Sequence, residues 1–379
     1  MKEKTAGLYI HIPFCEKRCD YCDFYSETGI DDSIRERYLT ALIKNLDFLR
    51  KDHVNSLKKI DTIYIGGGTP FVLGVNNLKE LIDQSLNHLT SEVLEITVEV
   101  NPVYSDIDDV EYLASEKSIT RISIGVQSFF SDQLKWLGRS YYKEIDKILG
   151  RLLDIKGIKK NIDLIVGQPG FEKERFIKRF NDLNIQERCE HISVYMLSLN
   201  KTLSQKRRVL ADNNIDKRSV ADMKSISSFL KKKGYDHYEI SSFAKAGNQC
   251  LHNLHYWNFD DYLSIGADSS MKIDGVIRKY DKIENYMNDP IPISSSCEKT
   301  DLYDLLMMRM RLGKGIYLND PEIADIKNLL QTCIFIYNKY REYVIFEDNR
   351  FKLNEKGFMF YNTIVSELFK KLEELDDRI

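Results

Sequence analysis

The segment Leu8-Tyr9-Ile10-His11-Ile12-Pro13-Phe14-Cys15-Glu16-Lys17-Arg18-Cys19-Asp20-Tyr21-Cys22-Asp23-Phe24 runs from an alternating apolar stretch into a cysteine-rich loop. The alternation predicts a strand, and Pro13, which has no N–H to give to a ladder, ends it. The loop holds three of the seven cysteines, spaced C-x3-C-x2-C. Three thiolates on one loop suit an iron–sulfur cluster, and four-iron clusters normally take four such ligands. With only three nearby, one iron is left without a protein ligand. As in zinc sites, an open metal position marks chemistry more often than structure. The alternatives are a zinc site completed by a distant fourth ligand, or three unrelated thiols.

Outward from this loop, strands and helices alternate. Ile34 to Leu49 carries Tyr38, Leu39, Leu42, Ile43 and Leu46 at helical spacing. Further strands are predicted at Ile60 to Ile65, Leu94 to Val100, Arg121 to Val126, Asn161 to Val166 and His191 to Met196, with a helix near Leu78 to Leu89. Four of these strands run into Gly66-Gly67-Gly68-Thr69-Pro70, Asn101-Pro102, Gln127-Ser128-Phe129 and Gly167-Gln168-Pro169-Gly170. Six alternating units predict an α/β fold of parallel βαβ units with right-handed crossovers. The polar and glycine motifs gather at the C-terminal ends of the strands, where sites form in such sheets. Six units cannot close an eight-stranded barrel, so an open, partial (β/α)6 barrel with a wide lateral mouth is expected.

The polar, basic stretch from Asn200 to Arg218 reads as a loop or short helices. Ser219 to Lys233 has helical spacing with Gly234 as its C-cap, and Tyr235 to Ile240 suits an added strand. Beyond Met271 the pattern changes. Thr300 to Leu312 predicts an amphipathic helix, and Glu322 to Lys371 more helices with a small hairpin near Tyr343 to Leu353. A boundary near Pro290 and Pro292 divides the chain into residues 1–290, the barrel with an added segment, and 291–379, a smaller, mainly helical domain.

A chain of 379 residues has room for both units and a sizeable core. The net charge of −3 gives no general surface for nucleic acid or membrane. Met1 to Gly7 lacks an apolar signal core, and no apolar run is long enough to span a bilayer. Cys189, Cys250, Cys297 and Cys333 are scattered without a disulfide framework. Free thiols and an oxygen-sensitive cluster both point to the cytoplasm.

Taken as residues alone, Gly66-Gly67-Gly68-Thr69-Pro70 is a tight strand-to-helix turn whose amides can approach a ligand closely, and it lacks the Lys-Ser/Thr pair of a Walker loop. Glu99, Gln127, Arg139 and Asp163 lie near strand ends and are each ordinary polar residues. Their order says more. Tyr-x-His-x-Pro-Phe-Cys-x3-Cys-x-Tyr-Cys-Asp-Phe, then Gly-Gly-Gly-Thr-Pro, Glu-Asn-Pro, Gly-Val-Gln-Ser-Phe, Leu-Gly-Arg and Asp-Leu-Ile resemble the radical-SAM proteins related to oxygen-independent coproporphyrinogen oxidase. The resemblance is strongest to the branch regarded as heme chaperones, and it covers nearly the whole chain. It implies a [4Fe-4S] cluster on Cys15, Cys19 and Cys22 whose open iron chelates S-adenosylmethionine (SAM). It also implies Tyr9, Tyr21, Gly67, Gly68, Thr69, Glu99, Gln127, Arg139, Asp163 and Met196 as SAM contacts. In the oxidase some equivalent positions serve a second SAM.

The chain departs from that family in places. Phe24 stands where the oxidase branch carries a fourth cysteine. The family's Leu-Gly-Arg-x-His reads Leu137-Gly138-Arg139-Ser140-Tyr141, its Gly-Leu-Pro-Gly-Gln-Thr reads Gly167-Gln168-Pro169-Gly170-Phe171-Glu172, and its Gly-Ala-Gly-Ala-His reads Gly266-Ala267-Asp268-Ser269-Ser270. The segment Cys250-Leu251-His252-Asn253-Leu254-His255-Tyr256-Trp257 resembles the His-Asn-x-x-Tyr-Trp of the chaperone branch. Histidine is a common axial ligand of heme iron, and flat aromatic rings suit a macrocycle. His252 is therefore the expected heme ligand, with His255, zinc binding or plain core packing as rivals.

Three functions compete. One is a heme chaperone that binds heme or porphyrin, keeps the cluster and SAM site, and delivers heme to client proteins. The second is a SAM-dependent coproporphyrinogen III oxidase, in which the cofactor would carry the hard chemistry. The third is a cluster-bearing redox scaffold. The resemblance leaves SAM cleavage open, and it allows a homodimer and a peripheral membrane contact.

Overall fold

A computed structural model describes residues 5–53, 59–88, 92–140, 145–197, 215–293 and 296–376. The six predicted strands form as β1 (Ala6–Ile12), β2 (Ile60–Gly67), β3 (Glu95–Val100), β4 (Arg121–Gln127), β5 (Lys159–Val166) and β6 (His191–Met196). They pair parallel in chain order, with Tyr9 opposite Tyr64, Glu99 opposite Ser123 and Asp163 opposite Ser193. β7 (Asp236–Glu239) and β8 (Ser242–Ala244) form a hairpin whose β8 lies antiparallel to β6. β9 (Tyr262–Ile265) lies parallel to β1 on its other side, so a seventh parallel strand joins the six expected. β10 (Ser270–Ile273), β11 (Val276–Lys279) and β12 (Glu298–Lys299) continue the sheet beyond β9.

Period-two alternation gives this curved sheet two chemically different faces. Leu8, Ile10, Ile12, Ile63, Ile65, Val98, Ile122, Ile124 and Ile162 point outward and are buried under the crossover helices. The helix Asp32–Asp52 contributes Tyr38, Leu42 and Leu46 to that layer, and Asp31 caps its N-terminus by accepting from the Ile34 amide. The other face carries Tyr9, His11, Thr62, Tyr64, Glu95, Thr97, Glu99, Arg121, Ser123, Asn161, Asp163 and Ser193. The barrel thus has an apolar jacket and a polar lumen.

A second apolar cluster, including Leu306, Met310, Ile336, Phe351, Ile364 and Leu368, belongs to the C-terminal part. There β13 (Ile316–Tyr317), β14 (Val344–Glu347) and β15 (Arg350–Leu353) form a small antiparallel sheet among the helices Leu302–Arg309, Leu329–Lys339 and Tyr361–Asp376. The hairpin expected near residues 343–353 is β14–β15. The amphipathic helix expected from Thr300 starts at Leu302, because Asp301 and Asp304 close a capping box there. The polar stretch expected between residues 200 and 218 lies outside the described residues as far as residue 214.

Candidate functional site

The lumen opens, at the C-terminal ends of the strands, onto the cysteine loop. Cys15, Cys19 and Cys22 are all free thiols and all partly exposed. Two backbone contacts fix where the loop leaves β1. The Gly68 amide donates to the Ile12 carbonyl at 2.8 Å, and the Thr69 amide to the Phe14 carbonyl at 2.7 Å. A Cβ on Gly68 would overlap the Phe14 backbone, and one on Gly67 would meet the His11 ring. The glycine run therefore lets β2 lie flat against the start of the loop. From the other side, Gly138 packs where a Cβ would overlap the Asp20 carboxyl.

Arg139 ties this rim together. Its guanidinium donates to the Tyr21 hydroxyl at 3.1 Å, to Asn101 Oδ1 at 3.2 Å and to the Gly125 carbonyl, and it lies 3.7 Å from Cys19 Sγ. Burial pushes the Cys15 and Cys22 thiols up, while the neighbouring Thr69 and Ser26 hydroxyls oppose the rise at Cys15. The donor set is three cysteine sulfurs on one loop, beside a fixed cation, so its chemistry fits an iron–sulfur cluster. Among the described residues no three His, Cys, Asp or Glu side chains converge on a single ion. A cluster does not require that, since each cysteine binds a different iron.

Below the rim sit two carboxylates. Glu99 accepts from the Gly67 amide at 3.0 Å and the Tyr64 hydroxyl at 3.0 Å. Burial, and then the neighbouring Asp163, raise its pKa to about 7 despite those two donors. Burial also raises Asp163, which accepts from Ser123 at 2.7 Å and Asn161 at 2.8 Å. Gln127 ends β4 at a register shift with φ +65, close to Gly125 and near Arg139. Met196 ends β6, partly buried against the main core.

The N-terminal end of the barrel is closed by the helix Leu251–Asn258. His252 is 1% exposed and points into the lumen. Its Nδ1 shares a hydrogen bond with Thr62 at 3.0 Å and its Nε2 with the Tyr256 hydroxyl at 2.9 Å. Burial lowers its pKa to about 3, so the ring is neutral. His255 differs. Burial opposes its charge, but Asp260 and Asp61, at 3.4 and 2.8 Å, outweigh that and hold its pKa at about 9. Glu95 reaches from β3 to the helix N-terminus, accepting from the Leu251 and His252 amides at 3.3 and 3.2 Å and from Arg121 at 3.1 Å. Tyr256 packs edge-on against Tyr262, and Trp257 lies under the Arg311 guanidinium at 4.1 Å.

The structure thus gathers Tyr21, Gly67, Gly68, Thr69, Glu99, Gln127, Arg139 and Asp163 with the three cysteines around the upper lumen. Met196 stands further round the sheet. Tyr9 spans the middle, its hydroxyl 2.9 Å from His11 Nδ1 and its ring 6.5 Å from that of His252. Reading the sequence missed His11, Tyr64, Asn101, Ser123 and Asn161, which orient the named residues. Period-two alternation with residues already singled out was the signal that would have found most of them.

The profile of the Radical SAM superfamily matches residues 9–183. The heme chaperone HemW of Buchnera aphidicola subsp. Schizaphis graminum is 38% identical over 76% of this chain and 77% of its own length. That of Buchnera aphidicola subsp. Acyrthosiphon pisum is 32% identical over 96% of this chain and 98% of its own. That of Escherichia coli is 34% identical over 72% and 71%. Among solved structures, the coproporphyrinogen III oxidase HemN from Escherichia coli, a radical SAM enzyme, superposes with a TM-score of 0.76 at 19% identity. It covers 97% of this chain and 90% of its own.

Proposed function

Because the chain belongs to the HemW family of radical SAM proteins, we propose that it is a heme chaperone, carrying a [4Fe-4S] cluster and a SAM site and delivering heme to client proteins. One observation carries the reading. The three-thiol loop and the Glu99 lumen share one end of the barrel, while the helix bearing His252 closes the other.

Cys15, Cys19 and Cys22 would hold the cluster, with the Arg139 guanidinium 3.7 Å from Cys19 Sγ. The cluster, when bound, supplies an electron to SAM chemistry. The residues around it bind and orient the cofactor. The backbone of Gly67 to Thr69 would lie against it, Glu99 and Asp163 would accept its polar hydrogens, and Tyr9, Tyr21, Gln127, Arg139 and Met196 would complete the surround. In this reading residues 1–290 bear the cofactors and 291–379 form the smaller helical unit.

Heme is held through His252. A neutral imidazole is the form that ligates a metal, and His252 is neutral while His255 is held as a cation by two carboxylates. Both ring nitrogens of His252 are engaged, so ligation through one of them would exchange its bond to Thr62 or to Tyr256 for an iron bond. Oxidation of coproporphyrinogen III is not favoured. Phe24, at the oxidase's fourth-cysteine position, is 68% exposed and brings no ligand to the loop.

Cytoplasmic residence suits the free cysteines. No described helix is long and apolar enough to cross a membrane. The homodimer and the peripheral membrane contact belong to the same proposal, and sedimentation with heme and with vesicles tests them. The central test is spectral. Anaerobically reconstituted protein is titrated separately with heme and SAM, with coproporphyrinogen III as a product assay. A Soret band that His252→Ala shifts or weakens, with brown cluster absorbance lost only in Cys19→Ala, is expected. SAM-dependent conversion of coproporphyrinogen III, or the absence of any heme binding, would overturn the reading.

A further inference from the structure

A cleft of about 610 Å³ lies between the barrel edge and the C-terminal sheet. Leu254 and Asn258 line it from the helix Leu251–Asn258, and Ile345, Arg350 and Lys352 from β14–β15. At 100° per residue, Leu254 and Asn258 sit on the face of that helix opposite His252. The cleft is therefore a separate volume from the lumen, with one helix as the shared wall.

We propose that this cleft seats a tetrapyrrole by its ring and carboxylates, independently of iron. The inference rests on the heme-chaperone reading and adds a second seat for a tetrapyrrole, apart from His252. The volume falls within the roughly 300–1,000 Å³ of small-molecule sites. Apolar surface for a flat ring comes from Leu254 and Ile345, with the buried Phe358 behind them. Positive charge for two propionates comes from Lys314, Arg350 and Lys352. Lys314 Nζ rests on the neutral amide of Asn258 at 2.6 Å, and Arg350 on the carbonyls of Lys314 and Gly313 at 2.7 and 3.2 Å. The Lys352 side chain has no hydrogen bond or ion pair among the described residues. Two carboxylates share the wall. Glu355 is already paired with Lys231 at 2.6 Å, and Asp236 stands at the exposed start of β7. The balance leaves the cations in excess.

The lining offers no ready iron ligand. His237 Nε2 is hydrogen-bonded to the Ile240 carbonyl at 3.0 Å, and the Tyr238 hydroxyl to His191 at 2.8 Å. Recognition here reads the ring and its carboxylates, and the metal is left for a ligand elsewhere.

The test compares hemin, iron-free protoporphyrin IX and its dimethyl ester on the full chain, by absorbance and porphyrin fluorescence. In a His252→Ala background, which removes the iron ligand, the protein is expected to bind hemin and protoporphyrin IX comparably and the ester weakly. There Lys352→Glu is expected to weaken both acids about tenfold, the size of one lost charge-assisted hydrogen bond, and Lys352→Arg to restore them. Ile345→Trp, which fills the cleft without touching charge, is expected to block both. Cluster absorbance and SAM binding should not move. Wild-type binding in both Lys352→Glu and Ile345→Trp, or binding of hemin alone, would overturn the inference and leave the chaperone reading standing. Binding of neither tetrapyrrole by wild-type protein would overturn both.

Discussion

The Tyr64 ring lies 5.2 Å from the His252 ring, and its hydroxyl donates to Glu99 at 3.0 Å. One side chain thus touches the carboxylate of the upper lumen and the histidine of the closing helix. Packed interiors switch between arrangements rather than deform smoothly, so in the proposed reading occupancy at one end should be felt at the other, and any such coupling is reciprocal. Heme affinity is expected to change when SAM is bound, by roughly five-fold or more. Tyr64→Phe keeps the ring and removes only the link to Glu99, so it should shrink that difference. Heme titrations with and without SAM measure it. The same difference in wild type and Tyr64→Phe would exclude Tyr64 as the link.

Glu99 makes stability depend on pH. Its folded pKa of about 7 lies above its ordinary value of 4.5, so the folded chain holds the proton more tightly than the unfolded one. The stabilisation is present below pH 4.5 and is lost as pH rises through 7. Its size is on the order of 2 kcal/mol, less than the whole shift would give because the carboxylate still meets solvent in the lumen. Glu99→Gln should flatten the stability curve across that window, leave the protein more stable than wild type at pH 8, and weaken SAM binding. Urea unfolding at several pH values reads the first two effects, and an unchanged slope would show that the carboxylate is not strained.

Gly68→Ala should empty the cluster site without touching a ligand. The new methyl would overlap the Phe14 carbonyl, so β2 and the cysteine loop must part. Overpacking of this kind costs about 1–3 kcal/mol. The expected result is low iron and weak brown absorbance after anaerobic reconstitution, with far-UV circular dichroism unchanged. Gly150→Ala is the control. It lies in the helix Ile145–Asp154 with room for a methyl, and should stabilise the helix by about 0.5–1 kcal/mol while iron content stays full. Full iron in Gly68→Ala would mean the loop is held by other contacts.

The barrel strands were legible because each is six to eight residues long and most end in a turn motif or a proline. β9 was not, being four residues long and recruited to β1 by tertiary pairing. The upper site was legible in part, since strand ends carry its named residues in sequence order. Tyr64, Ser123 and Asn161 stayed hidden because a polar residue in a strand looks the same whether it faces solvent or a lumen. The helix Leu251–Asn258 has Cys250 at its N-cap, with no side-chain cap of its own. Its capping group is Glu95, which no local pattern can announce. Nor could spacing show that His252 and His255, three residues apart, hold opposite protonation states. That difference comes from Asp61 and Asp260, one of them on β2.

The last prediction concerns that distant cap. Glu95 and Arg121 form a buried ion pair, 5% and 1% exposed in their side chains, and together they hold residues 248–252. Arg121 donates to the carbonyls of Asn248 and Gln249 at 3.1 and 3.0 Å, while Glu95 takes the first helical amides. Glu95→Ala leaves a buried cation without its partner and two amides without an acceptor. Breaking such a pair costs about 3–5 kcal/mol. The loss falls on the segment that, in the proposed reading, withdraws for His252 to reach heme. Apparent affinity scales with the fraction of molecules in the binding-competent state, so a latch that opens more often should speed heme association and tighten apparent binding, even as global stability falls. Faster amide exchange across residues 250–258 should accompany it. Stopped-flow mixing with heme separates this from a merely structural role. A less stable Glu95→Ala protein that takes up heme at the wild-type rate would show that the helix need not move.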